Sequence, residues 1–255
     1  MPWTEILVLL FAAVAAGAVN AVAGGGTLLT FPALLFVGTP PVVANATNTL
    51  ALMLGTAGGM VGYRRHLPAI RGWLWRFGVV SVVGGLLGSA LLTATSERTF
   101  GRIVPFLILF ATLLFMTQGP LRRLVGARAP LATRGTLLAA GAFQFLVAVY
   151  GGYFGAGIGI LMLASLGLLG HSHIHEMNAL KTVLSSLINL VAAAWFVAAG
   201  LIHWPRAAVM TIGALAGYYL GSRSSQAISQ ARVRQVITAI GLVLSVVTFY
   251  REFQR

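Results

Sequence analysis

Ten runs of apolar residues, divided by short polar or glycine-rich breaks, restrict what this chain can fold into more than any other feature. They lie near residues 5–23, 27–37, 42–62, 77–94 and 103–118, and then near 136–150, 158–169, 177–199, 207–221 and 235–250. The chain is 58% hydrophobic and 8% charged, with a mean hydropathy of +0.90, against about 45–50% apolar and about 25% charged in soluble domains. Such a composition belongs to an integral membrane protein. Open strands leave backbone groups unsatisfied in lipid, so the runs are expected to be helices and the fold class all-α, a polytopic membrane helical bundle. A span takes roughly 20 residues and no fewer than about 17. The runs at 27–37 and 158–169 fall short of that. They are either half-helices packed inside the protein or legs of a hairpin with the preceding helix.

The charged residues sit between the runs. Of 17 basic side chains only Lys181 is a lysine, there is no aspartate, and the four glutamates are Glu5, Glu97, Glu176 and Glu252, leaving a formal net charge of +13. Arginine-rich loops beside apolar spans suit anionic lipid headgroups, whereas nucleic-acid binding needs a soluble basic face that this sequence lacks. The absence of cysteine excludes disulfides, thiolate metal sites and a cysteine nucleophile, and is silent on compartment. No Lys or Arg precedes the first apolar run, so that run is expected to stay as a spanning helix; cleavage after the small residues near Ala16 to Ala18 is the alternative. Trp3, Trp73, Trp75 and Trp204 fall at the ends of runs, where an amphipathic ring anchors at the interface.

The same order of segments occurs twice. Gly26 falls on Gly157, Gly38 on Gly170, and Asn45-Ala-Thr-Asn48-Thr49 on Asn178-Ala-Leu-Lys181-Thr182, with two single-residue insertions in the second copy. Gly84-x-x-x-Gly88 falls on Gly213-x-x-x-Gly217, the close-packing pattern of membrane helices. The expected organisation is a first membrane repeat over 1–118, a basic cytoplasmic linker over 119–135 and a second repeat over 136–255. Chance likeness among glycine-rich helices is the competing account. If all ten segments cross, the halves are inverted; if each short segment joins its neighbour in one crossing, eight spans form two parallel halves. Either way the loops 63–76, 119–135 and 222–234 share one face, with 11 arginines against five elsewhere. Charge bias places that face in the cytoplasm without choosing between the two topologies.

Two glycine knots interrupt the apolar pattern, Gly24-Gly25-Gly26-Thr27 and the looser Gly151-Gly152-Tyr-Phe-Gly155-Ala-Gly157-Ile-Gly159. Each glycine costs a helix roughly 1 kcal/mol against alanine, and a broken helix in lipid survives only where its freed backbone faces protein or a polar cavity. Where a helix restarts after such a knot, its first N–H groups and positive dipole end favour an anion. Broken helices in corresponding positions of two repeats mark binding sites in secondary transporters.

Lys181 lies within an apolar run, where a charge usually faces the bundle interior and marks a substrate or ion pathway. Snorkelling to the interface is the alternative, since the position is near a helix start. Asn178, Lys181, Thr182, Ser185 and Asn189 recur at helical spacing along one face, and Asn45, Asn48, Thr49 and Thr56 do so in the first half. Taken singly, each polar residue is as well read as helix-to-helix glue. Together with the amides that follow Gly24, Gly25, Gly26, Gly155 and Gly157 they outline an anion-selective site between the halves.

Other constellations are weaker. His171-Ser-His173-Ile-His175-Glu176 reads either as a metal-binding or as a solvated, proton-sensing loop, with no partner ligand in view. The second knot lacks the Gly-x-Gly-x-x-Gly dinucleotide fingerprint, and no cofactor is expected. Ser185 four residues after Lys181 permits a Ser–Lys nucleophile pair; a duplicated binding cradle accounts for both halves, whereas a hydrolase accounts for one.

At Asn20-Ala-Val-Ala-Gly-Gly-Gly-Thr-Leu-Leu-Thr-Phe-Pro32, Ala44-Asn-Ala-Thr-Asn-Thr49, Tyr150-Gly-Gly-Tyr-Phe-Gly-Ala-Gly-Ile-Gly159 and Met177-Asn-Ala-Leu-Lys181, the sequence closely resembles the TauE/SafE family of sulfite exporters, also called toluene sulfonate uptake permeases. The resemblance covers nearly the whole chain. It implies a bacterial inner-membrane protein of about eight spans in two related halves, with short broken or re-entrant helices at the glycine motifs, moving sulfite, sulfonates or other small sulfur-containing or organic anions. The family's glycine motif falls on Gly24, Gly25, Gly26 and Pro32, and its second copy on Gly155, Gly157 and Gly159. The second copy lacks the proline, and Lys181 stands where the first half has Asn48. The partners expected are the anion and membrane lipids, with a homodimer as the oligomer this reading admits. An inside-negative potential favours anion export by about 2.3 kcal/mol per charge per 100 mV. An anion channel, an intramembrane enzyme and a non-transporting assembly partner are the competing classes.

Overall fold

The computed structural model of the protein describes residues 1–22, 24–57, 67–125, 133–168, 174–224 and 230–253, which form ten α-helices. The first five are α1 (Trp3–Val22), α2 (Thr27–Phe36), α3 (Pro41–Thr56), α4 (Leu67–Ala94) and α5 (Glu97–Val125). The second five are α6 (Arg134–Tyr153), α7 (Ile158–Leu168), α8 (Ile174–Ala198), α9 (Trp204–Ser224) and α10 (Gln230–Phe253). Among them α1, α4, α5, α6, α8 and α10 are the six long and apolar enough to cross a membrane, fewer than the eight spans expected from the sequence. The glycines, tyrosines and arginines of α9 lower its apolarity, and α2, α3 and α7 are short. Helices also outrun their apolar stretches. The α4 helix starts at Leu67 although its run starts at 77, because backbone hydrogen bonding continues into headgroup depth, where Trp73 and Trp75 are favoured. The stretch expected as a linker, 119–135, is helical at both ends, and its residues 126–132 lie outside the described ones.

One ion pair settles the path of the first half. Arg206, in the first turn of α9, donates to Glu5 Oε2 at 3.0 Å, to the Val37 carbonyl at 3.1 Å and to Thr39 Oγ1 at 2.8 Å. The start of α1, the end of α2 and the starts of α3 and α9 therefore share one face, the Glu5 face. Hence α1 and α2 are the legs of a hairpin, one of the two arrangements the short second run allowed. Glu97 at the start of α5 accepts from the Val42 N–H at 2.8 Å, so α4 also ends on this face.

Glycines fix the directions of the remaining helices. Gly84 lies against Phe145 and Ala148, and Gly88 against Val149 and Tyr153, so α4 and α6 run side by side in the same direction. On the other side of the bundle Gly213 lies against Leu10 and Ala13, Gly217 against Val14 and Gly221 against Ala18, a second parallel seam between α9 and α1. Without a Cβ the backbones approach closely, the means by which membrane helices associate when lipid removes the hydrophobic drive. Because α4 ends at the Glu5 face, α6 begins at the opposite, arginine-rich face, where α4 starts with Arg71 and Arg76 and α6 with Arg134. Consequently α1 and α6 start on opposite sides.

The α2 helix meets the end of α6 and the start of α5 through aromatic rings. Phe31 of α2 packs edge-on against Phe154, just after α6, at 5.3 Å, and Phe100 of α5 lies 6.4 Å from Phe31 and 6.5 Å from Phe154. All three are buried. They form a packed floor towards the Glu5 face. Outward-facing apolar side chains such as Phe11, Val83, Leu146, Ile212 and Val246 are exposed, as a lipid-facing surface requires.

Candidate functional site

Above that floor, a cavity of about 390 Å³ lies between the glycine knots and the helix ends of the arginine-rich side. Its lining combines the end of α1 (Asn20, Ala21, Val22), the knot Gly24, Gly25 and Thr27, the end of α3 (Leu52, Thr56), and the knot Gly155, Gly157 and Gly159 with the start of α7. The polar face of α8 closes it with Asn178, Lys181, Thr182, Ser185, Ser186 and Asn189, joined by Tyr218 of α9 and Arg234 of α10.

The knots are built for this. Gly24 and Gly25 adopt φ values of +80° and +96°, the left-handed region that a side chain disfavours, and a Cβ on Gly25 would also strike the Phe115 ring. The chain thereby reverses at once and α2 starts inside the protein. The Gly26 N–H is taken by Asn20 Oδ1 at 2.8 Å, which pins the knot to the end of α1. At the second knot Gly155 and Gly157 have φ of +79° and +80°. The Tyr150 hydroxyl holds the turn by donating to the Ala156 carbonyl at 2.8 Å. Two helix N-termini, those of α2 and α7, therefore meet one cavity; the Leu28, Leu29 and Thr30 amides are already taken by the Gly25 and Gly26 carbonyls and the Ile160 amide by Gly157, so what these ends bring to the cavity is chiefly their positive dipole.

Lys181 approaches the second knot directly. A Cβ on Gly159 would lie 3.4 Å from its Cδ and 3.8 Å from its Cε, so the lysine stem rests on the bare backbone of α7. Ser185 Oγ donates to Met162 Sδ at 3.2 Å. Among the described lining residues there is no carboxylate. Lys181, Arg234 and the positive ends of two helix dipoles all bear on this cavity.

Of the fourteen residues singled out from the sequence, Gly24, Gly25, Thr27, Gly155, Gly157, Asn178, Lys181, Thr182, Ser185 and Asn189 line this cavity. Gly26, Asn45, Asn48 and Thr49 are not in its lining. Asn45 is buried nearer the Glu5 face, where its Nδ2 donates to the Tyr153 carbonyl at 3.0 Å and its Oδ1 is without a partner. Asn48 accepts from Thr30 Oγ1, and Thr49 Oγ1 donates back to the Asn45 carbonyl at 2.9 Å. Asn45 and Asn48 thus tie α3 to the end of α6 and to α2, whereas the Thr49 bond stays within α3. Asn20, Ser186, Tyr218 and Arg234 were not among the fourteen. Nothing in sequence separates Arg234 from the other arginines at helix ends, so only packing reveals it. His171 and His173 lie outside the described residues, and among the described ones no cluster of three metal-ligating side chains occurs.

The Asn20 bond is open to test. Asn20→Ala leaves the part-buried Gly26 N–H without its acceptor and is expected to cost about 1–3 kcal/mol of stability, seen as a lower melting temperature in detergent. Asn20→Asp, which keeps the acceptor, should preserve melting. Equal melting of wild type and Asn20→Ala would remove this bond from the account.

Broken helices with their positive ends in a cation-bearing cavity, enclosed by an apolar bundle, define a class, the polytopic membrane transporters. The chain belongs to the sulfite exporter TauE/SafE family, whose model matches residues 9–248. It is 29% identical over 250 residues to a probable membrane transporter protein of Haemophilus influenzae, covering 97% of this chain and 96% of that protein. It is 28% identical over 250 residues to the probable membrane transporter protein YfcA of Escherichia coli strain K12, covering 95% and 89%, and 25% identical over 245 residues to the probable membrane transporter protein ORF9 of a Sinorhizobium species, covering 95% and 92%. No solved structure matches. A family of membrane transporters leaves the hydrolase reading of Ser185 and Lys181 without support.

Proposed function

We propose that the protein is a secondary transporter or facilitator that exports a small anion, such as sulfite or an organosulfonate, across the bacterial inner membrane. The observation that carries this reading is the meeting of two helix N-termini with Lys181 in one cavity on the arginine-rich, and so cytoplasmic, side. An anion entering there from an inside-negative cell moves outward with the potential. The packed floor of Phe31, Phe100 and Phe154 favours a gated carrier over an open channel.

The two halves, 1–118 and 136–255, are read as inverted repeats. Supporting this, α1 pairs with α9 as α6 pairs with α4, and the paired glycines Gly213 and Gly217 have Gly84 and Gly88 as counterparts. Inversion explains why the polar face of α8 lines the cavity while that of α3 is closed. In the opposite state Asn45, Asn48 and Thr49 take the place of Asn178, Lys181 and Thr182. The buried, unpartnered Asn45 Oδ1 fits a group that finds its partner in that other state.

Arg206 holds the Glu5 face shut in this reading. Arg206→Gln is expected to raise reactivity of a single cysteine at Thr49, in a chain with no native cysteine, towards a membrane-impermeant thiol reagent on the outer side by about tenfold, given that hydrogen bonds to a charged group, here partly buried, contribute about 1.5–3 kcal/mol. Unchanged labelling would show that the ion pair is not a latch. The function itself is tested by flux of sulfite, sulfoacetate, taurine and thiosulfate into proteoliposomes. Saturable flux of an anion supports the proposal, and its absence for all four, or linear unsaturable flux, defeats it.

A further inference from the structure

We propose that Phe115 sets the width of the cavity and makes it select anions with little bulk next to the charged group. The assignment rests on the anion-transport reading of the same cavity and goes beyond it in naming a specificity-determining residue. The knots bound the cavity with bare backbone, so the side chains that fix its width there come from elsewhere. They come from α5. A Cβ on Gly25 would lie 2.1 Å from Cζ of the Phe115 ring and 2.7 Å from both Cε atoms, so the ring stands tip-on against the first knot. A Cβ on Gly157 would lie 3.4 Å from Leu114 Cδ1 and 3.9 Å from the Ala111 carbonyl oxygen, so the same turn of α5 rests on the second knot. Successive residues of a helix point about 100° apart, and α5 therefore runs between the knots with Phe115 turned to one and Leu114 to the other. Phe115 is buried and borders the cavity, and it is the largest wholly apolar side chain in the described lining. An anion drawn to the positive ends of α2 and α7 brings its charged group to the knots, so the atoms beside that group are the ones the ring faces. A ring held against backbone at interior packing density yields little. Bulk beside the charged group is therefore turned away, and removing the ring makes room for it.

The probes are methanesulfonate and propane-2-sulfonate, which share one charged head and differ in the carbons beside it. Binding of each is titrated calorimetrically to the detergent-purified full chain, and flux of each is measured separately in proteoliposomes. Wild type should bind methanesulfonate at least about threefold more tightly. Phe115→Ala should shift the ratio of the two affinities by about tenfold or more towards propane-2-sulfonate, the amount that burying its further carbons contributes, and Phe115→Leu by part of that. Phe77→Leu, which trims a buried ring of α4 outside the lining, is the control for general loosening and should leave the ratio within about twofold of wild type. A ratio unmoved in both Phe115 variants, the same shift in Phe77→Leu, or a wild type without preference overturns the proposal. Should Phe115→Ala fail to fold, Phe115→Leu and the wild-type preference decide it. The shift in binding without saturable flux would count against transport and for the Phe115 assignment, whereas saturable flux with an unmoved ratio would count the other way. Binding of neither probe to wild type or to any variant would defeat both.

Discussion

Replacing Lys181 by alanine is expected to raise the half-saturating anion concentration by about 10–100-fold, because a hydrogen bond to a charged group contributes about 1.5–3 kcal/mol and every 1.4 kcal/mol is tenfold. The structural reason is local. The lysine stem lies on Gly159, which directs the ammonium to the start of α7, where helix dipole and full charge act on the same ligand. Lys181→Met keeps most of the stem without the charge and should lose transport as fully as alanine while melting closer to wild type. Lys181→Arg is expected to be poorer than wild type, since a planar fork does not occupy the space of an ammonium on a bare glycine. Saturable flux of wild-type affinity in Lys181→Met would take this residue out of the site and leave a snorkelling role.

The second large effect concerns the two glycine seams. Gly88→Ala and Gly217→Ala place a methyl group onto the carbonyl oxygens of Val149 and Val14 respectively. A backbone oxygen cannot rotate away as a side-chain tip can, so the helices must part. Overpacking costs about 1–3 kcal/mol, which at this chain length lowers the melting temperature by about 2–12 °C. Gly72→Ala and Gly141→Ala, whose added Cβ meets nothing within 4 Å, are the controls and should melt as wild type or slightly higher, alanine being the better helix former. If seam and control variants melted alike, close backbone approach would not be what holds α1 to α9 and α4 to α6.

The glycine knots were legible in the sequence because three consecutive glycines in an apolar run have few other uses, and Lys181 because it is the one lysine in a run that otherwise excludes charge. Ten of the fourteen candidate residues line one cavity. The four that do not, Gly26, Asn45, Asn48 and Thr49, carry the same kind of pattern as their counterparts. Periodicity says which residues share a helix face, and it cannot say which of two similar faces borders the cavity. Arg234 and Tyr218 escaped notice for a related reason. An arginine or tyrosine at a helix end is the ordinary furniture of a membrane interface, and only the approach of α9 and α10 to the knots turns those two inward.

Taken alone, the amino-acid sequence determined that this is a helical membrane protein, that two helices break inside it, and that its arginine-rich loops lie on one side. Each of these follows from how single residues behave in lipid or in a helix: apolar length, glycine, and charge. Which helices run side by side, and in which direction, was decided by tertiary structure. Charge bias was the same, 11 arginines against five, for parallel and inverted arrangements, and a sum over loops carries no information about which loop pairs with which. The contacts of Arg206 with Glu5, Val37 and Thr39, together with the parallel glycine seams, supply it, because they join positions up to some two hundred residues apart in a chain where lipid makes close packing, not hydrophobic burial, the arbiter of helix neighbours.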